Sequence, residues 1–141
     1  MNDQSIQFVA QPGGTLSGRL RVPGDKSISH RSIMLGSLAI GDTRIEGFLE
    51  GEDSLATLRA FRSMGVRIDG PQAGRVTVHG VGMHGLKPPA DALDLGNSGT
   101  SMRLMTGLMA GQGVPVTLVG DASLSSRPMQ RIIEPLSRMG A

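Results

Sequence analysis

Two corners of this chain are built on one plan, and they limit what it can fold into more than any other feature. The first is Gly24-Asp25-Lys26-Ser27-Ile28-Ser29-His30-Arg31, and the second is Gly96-Asn97-Ser98-Gly99-Thr100-Ser101-Met102-Arg103. Each opens on glycine and an Asx residue, reaches serine at its sixth place and arginine at its eighth, then runs into an apolar, methionine-containing segment of helical length. Gly24 and Gly96 are 72 positions apart. Each corner reads as a loop that turns into a helix N-terminus. Such an end presents unpaired backbone N–H groups and the positive end of the peptide dipoles, so it holds anions. Serine and threonine hydroxyls there cap the helix or reach a ligand. Lys26, Arg31 and Arg103 add full positive charge.

Hydrophobic spacing lays out the elements around these corners. Short strands are expected over 6–10 and 15–22, the second from period-two alternation of Leu16, Gly18, Leu20 and Val22 with Ser17, Arg19 and Arg21. A helix is expected over 27–40, with Ile28, Ile33, Leu35 and Leu38 apolar and Gly41 as a left-handed cap. A strand over 43–49 leads to a helix over 52–64, whose stripe is Leu55, Leu58, Phe61 and Met64. Strands over 66–69 and 75–79 follow, joined across Gly70-Pro71. The order then restarts: strand 92–95, helix 98–110, strand 115–119 and helix 128–139, which Pro135 should kink or split. Ser63-Met64-Gly65-Val66 is echoed by Arg138-Met139-Gly140-Ala141. The first unit runs on into two strands where the second stops, so the natural protein is expected to continue past Ala141.

Charge and composition narrow the function classes. Fourteen basic residues against twelve acidic give a net charge of +2, with arginines spread along the chain. That balance suits small anionic ligands better than a nucleic-acid surface. The three aromatics are all phenylalanine, too few for a base-stacking platform. No cysteine is present, which excludes disulfides, thiolate nucleophiles and cysteine metal sites. No apolar run approaches membrane-spanning length. His30 reads as a packing or surface residue. His79 and His84 have no carboxylate at metal-ligand spacing, so neither a metal nor another cofactor is assigned. A nucleotide P-loop at Lys26-Ser27 fails on spacing, because Asp25 stands where glycine is required.

The two corners, with Leu95 leading the second, and Gly120-Asp121-Ala122-Ser123-Leu124-Ser125-Ser126-Arg127-Pro128-Met129 closely resemble the 5-enolpyruvylshikimate-3-phosphate synthases, in order and spacing over nearly the whole chain. The resemblance implies an α/β (α+β) fold of repeated βαβαββ units, the inside-out α/β barrel of the enolpyruvyl transferases, incomplete here. It implies that residues 1–23 pair with another domain, that 24–141 form a partial transferase domain, and that this comprises one full repeat at about 24–85 and a truncated one at about 90–141. It implies transfer of the enolpyruvyl group of phosphoenolpyruvate to the 5-hydroxyl of shikimate 3-phosphate, in cytoplasmic aromatic amino acid biosynthesis, at the step where glyphosate competes.

Carried over by position, Lys26 contacts both substrates and is the candidate for proton transfer or phosphate stabilisation. Ser27 and Arg31 bind shikimate 3-phosphate, Arg31 as a planar fork for its carboxylate. Gly99 offers its N–H to phosphoenolpyruvate, and Arg127 binds that donor's phosphate. Asn97 and Thr100 shape the loop, and Arg103 braces it. The family's acidic base, its glutamate partner and further arginines would lie past Ala141, so the chain alone is expected not to turn over substrate, and to pair with the remainder of the enzyme or dimerise. Two alternatives stand beside this. A UDP-N-acetylglucosamine enolpyruvyl transferase shares the fold but has asparagine in place of Ser27. A non-catalytic binding module would keep the fold alone.

Overall fold

The computed structural model describes residues 8–141. The first corner opens on Asp25, whose carboxylate accepts from Ile28 N at 2.7 Å and caps α1 (Lys26–Leu38). The chain leaves α1 extended at Ala39 and enters β1 (Ile40–Glu46). The helix therefore stops two residues before the expected Ile40, and Gly41, at φ +91°, lies inside the strand instead of closing the helix. The reason is tertiary: β-branched Ile40 pairs with Val81, and Gly82 N donates to Ala39 O.

Next comes α2 (Glu52–Ser63), with Glu52 and Asp53 in its first turn and Arg62 in its last, as the helix dipole prefers. Leu58, Phe61 and Met64 are fully buried, as their spacing predicted. β2 (Arg67–Gln72) and β3 (Arg75–Val81) complete an antiparallel sheet of order β1-β3-β2. Gly70 and Pro71 do not form the expected turn. They sit within β2, in a bulged stretch between Asp69 and Gln72, and Ala73-Gly74 turns the chain. The Arg62 guanidinium fixes the bulge by donating to Ile68 O and Gly70 O, each at 2.6 Å.

The second unit runs β4 (Leu93–Asp94), α3 (Gly99–Ala110), β5 (Leu118–Val119), α4 (Ala122–Ser125) and α5 (Gln130–Arg138), with β4 and β5 parallel. The one-turn α4 was not expected. Asp121 caps it through Leu124 N, and Leu124 is buried beneath it. α5 starts two residues late, and Pro135 neither splits nor ends it. The chain leaves both α2 and α5 through Met-Gly with the glycine left-handed, Gly65 at φ +89° and Gly140 at +95°. Met64 is fully buried whereas Met139 is 82% exposed, because the first unit continues into β2 and β3.

α1 packs on β3 and against α2, α2 against α3, and α3 against α5, so one core runs across the helices. Ile33, Met34, Phe61, Val78, Leu95, Met105 and Met109 lie in it. The expected strand over 15–22 is absent. Its residues are exposed, Leu16 and Leu20 included, because no neighbour among the described residues offers it a ladder. Of the expected strand over 6–10, residues 8–10 are not strand, and Ile6 and Gln7 lie outside the described residues.

Candidate anion site at three helix ends

The N-termini of α1, α2 and α3 meet around Asp53. Lys26, the first residue of α1, forms an ion pair through Nζ with the Asp53 carboxylate in the first turn of α2. The Asp53 carbonyl in turn accepts from Ser101 Oγ, in the first turn of α3, at 3.5 Å. Gly24 permits the approach, because a Cβ there would overlap Gly47 O and press on Leu49 N. Spacing alone did not reveal Asp53 as the partner of Lys26, since α1 and α2 meet only in the folded chain.

Ser98 caps α3 by accepting from Ser101 N at 3.2 Å. Gly99 is the first residue of the helix, and a Cβ on it would stand 2.9 Å from Arg127 Nη1 and 3.9 Å from Arg103 Nη1. Two guanidinium groups thus flank one helix N-terminus, an arrangement that attracts a doubly charged anion. Asn97 holds this side together. Its Oδ1 accepts from Arg127 Nη2 at 2.5 Å, and its Nδ2 donates to Asp121 Oδ2 at 2.7 Å. The Leu124 N–H and the Asn97 amide, with Arg127 nearby, hold the Asp121 carboxyl below its usual range. Asp121 therefore stays ionised and anchors Asn97 against Arg127.

The remaining expected residues are less constrained. Ser27 is exposed, and its carbonyl accepts from Arg31 Nη1 at 3.1 Å, so both lie on the open side of α1. Ser27 does not cap that helix, because Asp25 does. The Thr100 hydroxyl and Arg103 make no side-chain hydrogen bond among the described residues, and Arg103 Nε is buried without a partner.

His30 is buried beneath the cluster, its Nδ1 2.8 Å from Thr57 Oγ1. Burial, reinforced by Lys26, pushes its pKa down, so the ring is neutral near pH 7. His79 lies elsewhere, on the exposed face of the sheet, and it does have carboxylate partners: Nδ1 meets Asp42 at 2.6 Å and Nε2 meets Asp69 at 2.7 Å. Strand pairing brings these together from 37 and 10 residues away, which spacing could not disclose. The two acids hold opposite ring nitrogens, and among the described residues no group of three His, Cys, Asp or Glu converges as a metal site would require. No helix is long and apolar enough to cross a membrane among the described residues.

Comparisons with known proteins agree with one another on the family. The family model for EPSP synthase (3-phosphoshikimate 1-carboxyvinyltransferase) matches residues 10–141. The 3-phosphoshikimate 1-carboxyvinyltransferase of Alkalilimnicola ehrlichii is 71% identical over 136 residues, covering 96% of this chain and 30% of that protein. The protein of the same name from Methylococcus capsulatus is 65% identical over 141 residues, covering all of this chain and 32% of that protein. A solved structure of EPSP synthase from Acinetobacter baumannii superposes with a TM-score of 0.85 at 64% identity, over 88% of this chain and 28% of that one. The chain thus spans about a third of the length of the curated relatives it matches.

Proposed function

Because this chain belongs to the EPSP synthase (3-phosphoshikimate 1-carboxyvinyltransferase) family, we propose that its three helix ends form one wall of a site that moves the enolpyruvyl group of phosphoenolpyruvate to the 5-hydroxyl of shikimate 3-phosphate, releasing phosphate. The observation that carries this reading is the convergence at Gly99 of a helix N-terminus with the guanidinium groups of Arg127 and Arg103, Arg127 lying so close that a Cβ would stand 2.9 Å from its Nη1. A phosphate or carboxylate seated there meets backbone N–H groups and two guanidinium cations, of which Arg127 is held by Asn97. In this reading Lys26, paired with Asp53 at the neighbouring helix end, reaches the same anion and stabilises the departing phosphate or moves a proton. Ser27 and Arg31, on the open side of α1, take the carboxylate and hydroxyl face of shikimate 3-phosphate. Asn97 and Asp121 hold Arg127 in its place.

Enolpyruvyl transfer needs groups on both sides of the reacting carbons, and this wall supplies only one. We propose that the opposing wall comes from sequence that the longer relatives carry, and that the isolated chain does not turn over. An apolar groove of about 340 Å³ between α3 and α5, lined by Met109, Val116, Leu118, Ile133 and Leu136, is then covered by that remainder or by a second copy. The reading places the protein in the cytoplasm, in aromatic amino acid biosynthesis. UDP-N-acetylglucosamine is the disfavoured acceptor, since the named relatives act on shikimate 3-phosphate by name.

The test is a chimaera in which this chain replaces its matching stretch of the Alkalilimnicola ehrlichii enzyme. Phosphate release that requires both phosphoenolpyruvate and shikimate 3-phosphate supports the reading. Release with the UDP-sugar as acceptor, or a folded chimaera that binds neither substrate, overturns it, the latter in favour of a binding module.

A further inference from the structure

Resting on that reading, we infer that His30, Thr57, Ser98 and Ser101 are positioning residues, a buried hydrogen-bond chain that holds the Lys26 end of α1 and the Gly99 end of α3 at one fixed separation. The chain runs through three helices. His30 Nδ1 lies 2.8 Å from Thr57 Oγ1 of α2, Thr57 Oγ1 lies 2.7 Å from Ser101 Oγ of α3, and Ser101 Oγ lies 2.7 Å from Ser98 Oγ, the cap of α3. All four side chains are fully buried. His30 Nε2 is buried and unpaired. The arrangement that buries least unmet polarity therefore puts the ring proton on Nδ1, donating to Thr57, and leaves Nε2 with only a lone pair.

Placement within each helix gives the chain its consequence. His30 is one turn after Lys26, and Ser101 is two residues after Gly99. A rotation of either helix that carried its ligand-binding end away would stretch a bond in the chain. Apolar side chains would fill the same space, but packing tolerates small slips that directional bonds between fully buried partners resist. The inward side of α1 carries polar residues beside Ile33 and Met34. Ser29, His30 and Ser37 of α1 are buried, whereas Ile28 and Leu35 are 68% and 66% exposed.

Thr57→Val keeps side-chain volume and removes the central hydroxyl, Ser101→Ala removes the next one without adding bulk, and Thr57→Ser restores the hydroxyl. In the chimaera, Thr57→Val and Ser101→Ala should each lower kcat/KM for phosphoenolpyruvate about tenfold, with recovery to within about threefold in Thr57→Ser. A merely structural role would lower the melting temperature and leave kcat/KM within about twofold, and that result overturns the inference. Should the unsubstituted chimaera be inactive, the functional reading has failed separately, and backbone amide spectra of the 141-residue chain decide the inference. Thr57→Val or Ser101→Ala should then shift the amide signals of both Lys26 and Gly99. Shifts confined to the neighbours of the substituted residue refute the coupling.

Discussion

One substitution made at two glycines separates a structural corner from a ligand-facing one. In Gly99→Ala the new methyl meets only the tip of Arg127, which must retreat from 2.9 Å to the 3.4 Å of ordinary contact. The Arg127 side chain is long and partly exposed, so its tip can shift and the displacement weakens at most its bond to Asn97. Alanine recovers up to about 1 kcal/mol of helix propensity against glycine, less at a first helical position. The net effect on stability is within about 1 kcal/mol of zero. In Gly24→Ala the methyl overlaps Gly47 O and stands 3.0 Å from Leu49 N, both backbone. That segment cannot yield freely, since Leu49 N donates to Ser29 Oγ and Phe48 N donates to Gly74 O, each at 2.9 Å. Forced overlap costs about 1–3 kcal/mol, and a strained buried bond adds about 1. Urea unfolding of the two variants should therefore differ by about 2–4 kcal/mol, with Gly24→Ala the weaker. Binding should rank them in the opposite way. Gly99→Ala pushes Arg127 back from the helix end and should lose affinity for phosphoenolpyruvate while remaining folded. Equal unfolding midpoints, or a Gly99→Ala variant that loses more than about 2 kcal/mol, would refute the reasoning from close approach.

Other consequences are simpler to measure. Hydrogen bonds to Asp69 and Asp42 raise the pKa of His79, so the native state holds its proton more tightly than the unfolded chain; the stability this contributes is complete below about pH 6.5 and drains away as pH climbs through the raised value. Burial lowers the pKa of His30, so its contribution is present above about pH 6.5 and falls as the medium becomes more acid. Melting temperatures followed from pH 5 to 9 should show both limbs, with His79→Gln flattening the alkaline one; an unchanged alkaline limb would contradict the Asp42–His79–Asp69 bridge. Phe61→Ala, at a fully buried site, should cost about 3–5 kcal/mol in denaturant titration, and a loss under about 1 would mean that α2 is not the centre of the core. Lys26→Met should cost less than about 1 kcal/mol of stability, because its ion pair is half exposed, yet reduce turnover of the chimaera more than a hundredfold; retained turnover would remove Lys26 from the chemistry.

How much of this was legible beforehand depends on where each signal resides. The glycine corners, the Leu58–Phe61–Met64 stripe, the methionines of the core and the Met-Gly helix exits are local in sequence, and the folded chain keeps them. The strand expected over 15–22 is not local, because alternation supplies a face but a neighbour must supply the ladder. The bridge at His79 escaped for the same reason, its acids arriving from adjacent strands. α1 shows the most instructive difference. Apolar periodicity nominates Ile28, Ile33, Leu35 and Leu38 as its inner face, yet the helix buries Ser29, His30, Gly36 and Ser37 beside Ile33 and Met34 and leaves Ile28 and Leu35 exposed. Gly36 faces Thr43 and Val78 so closely that a Cβ would stand 3.2–3.3 Å from them, which brings α1 tight against the sheet and fixes which side is inside. Once that side is fixed, the buried polar groups find partners without water: Ser29 donates to Asp25 O and accepts from Leu49 N, Ser37 donates to Ile33 O, and His30 Nδ1 meets Thr57 of α2. Burial on this helix is therefore decided by how close the backbone comes and which polar groups find partners, and hydropathy alone cannot rank those against an isoleucine. The same accounting explains why the end of α1 proposed to bind an anion is anchored from beneath by His30. A helix end that must hold charge in a fixed place is better anchored by directional bonds than by a surface free to slide.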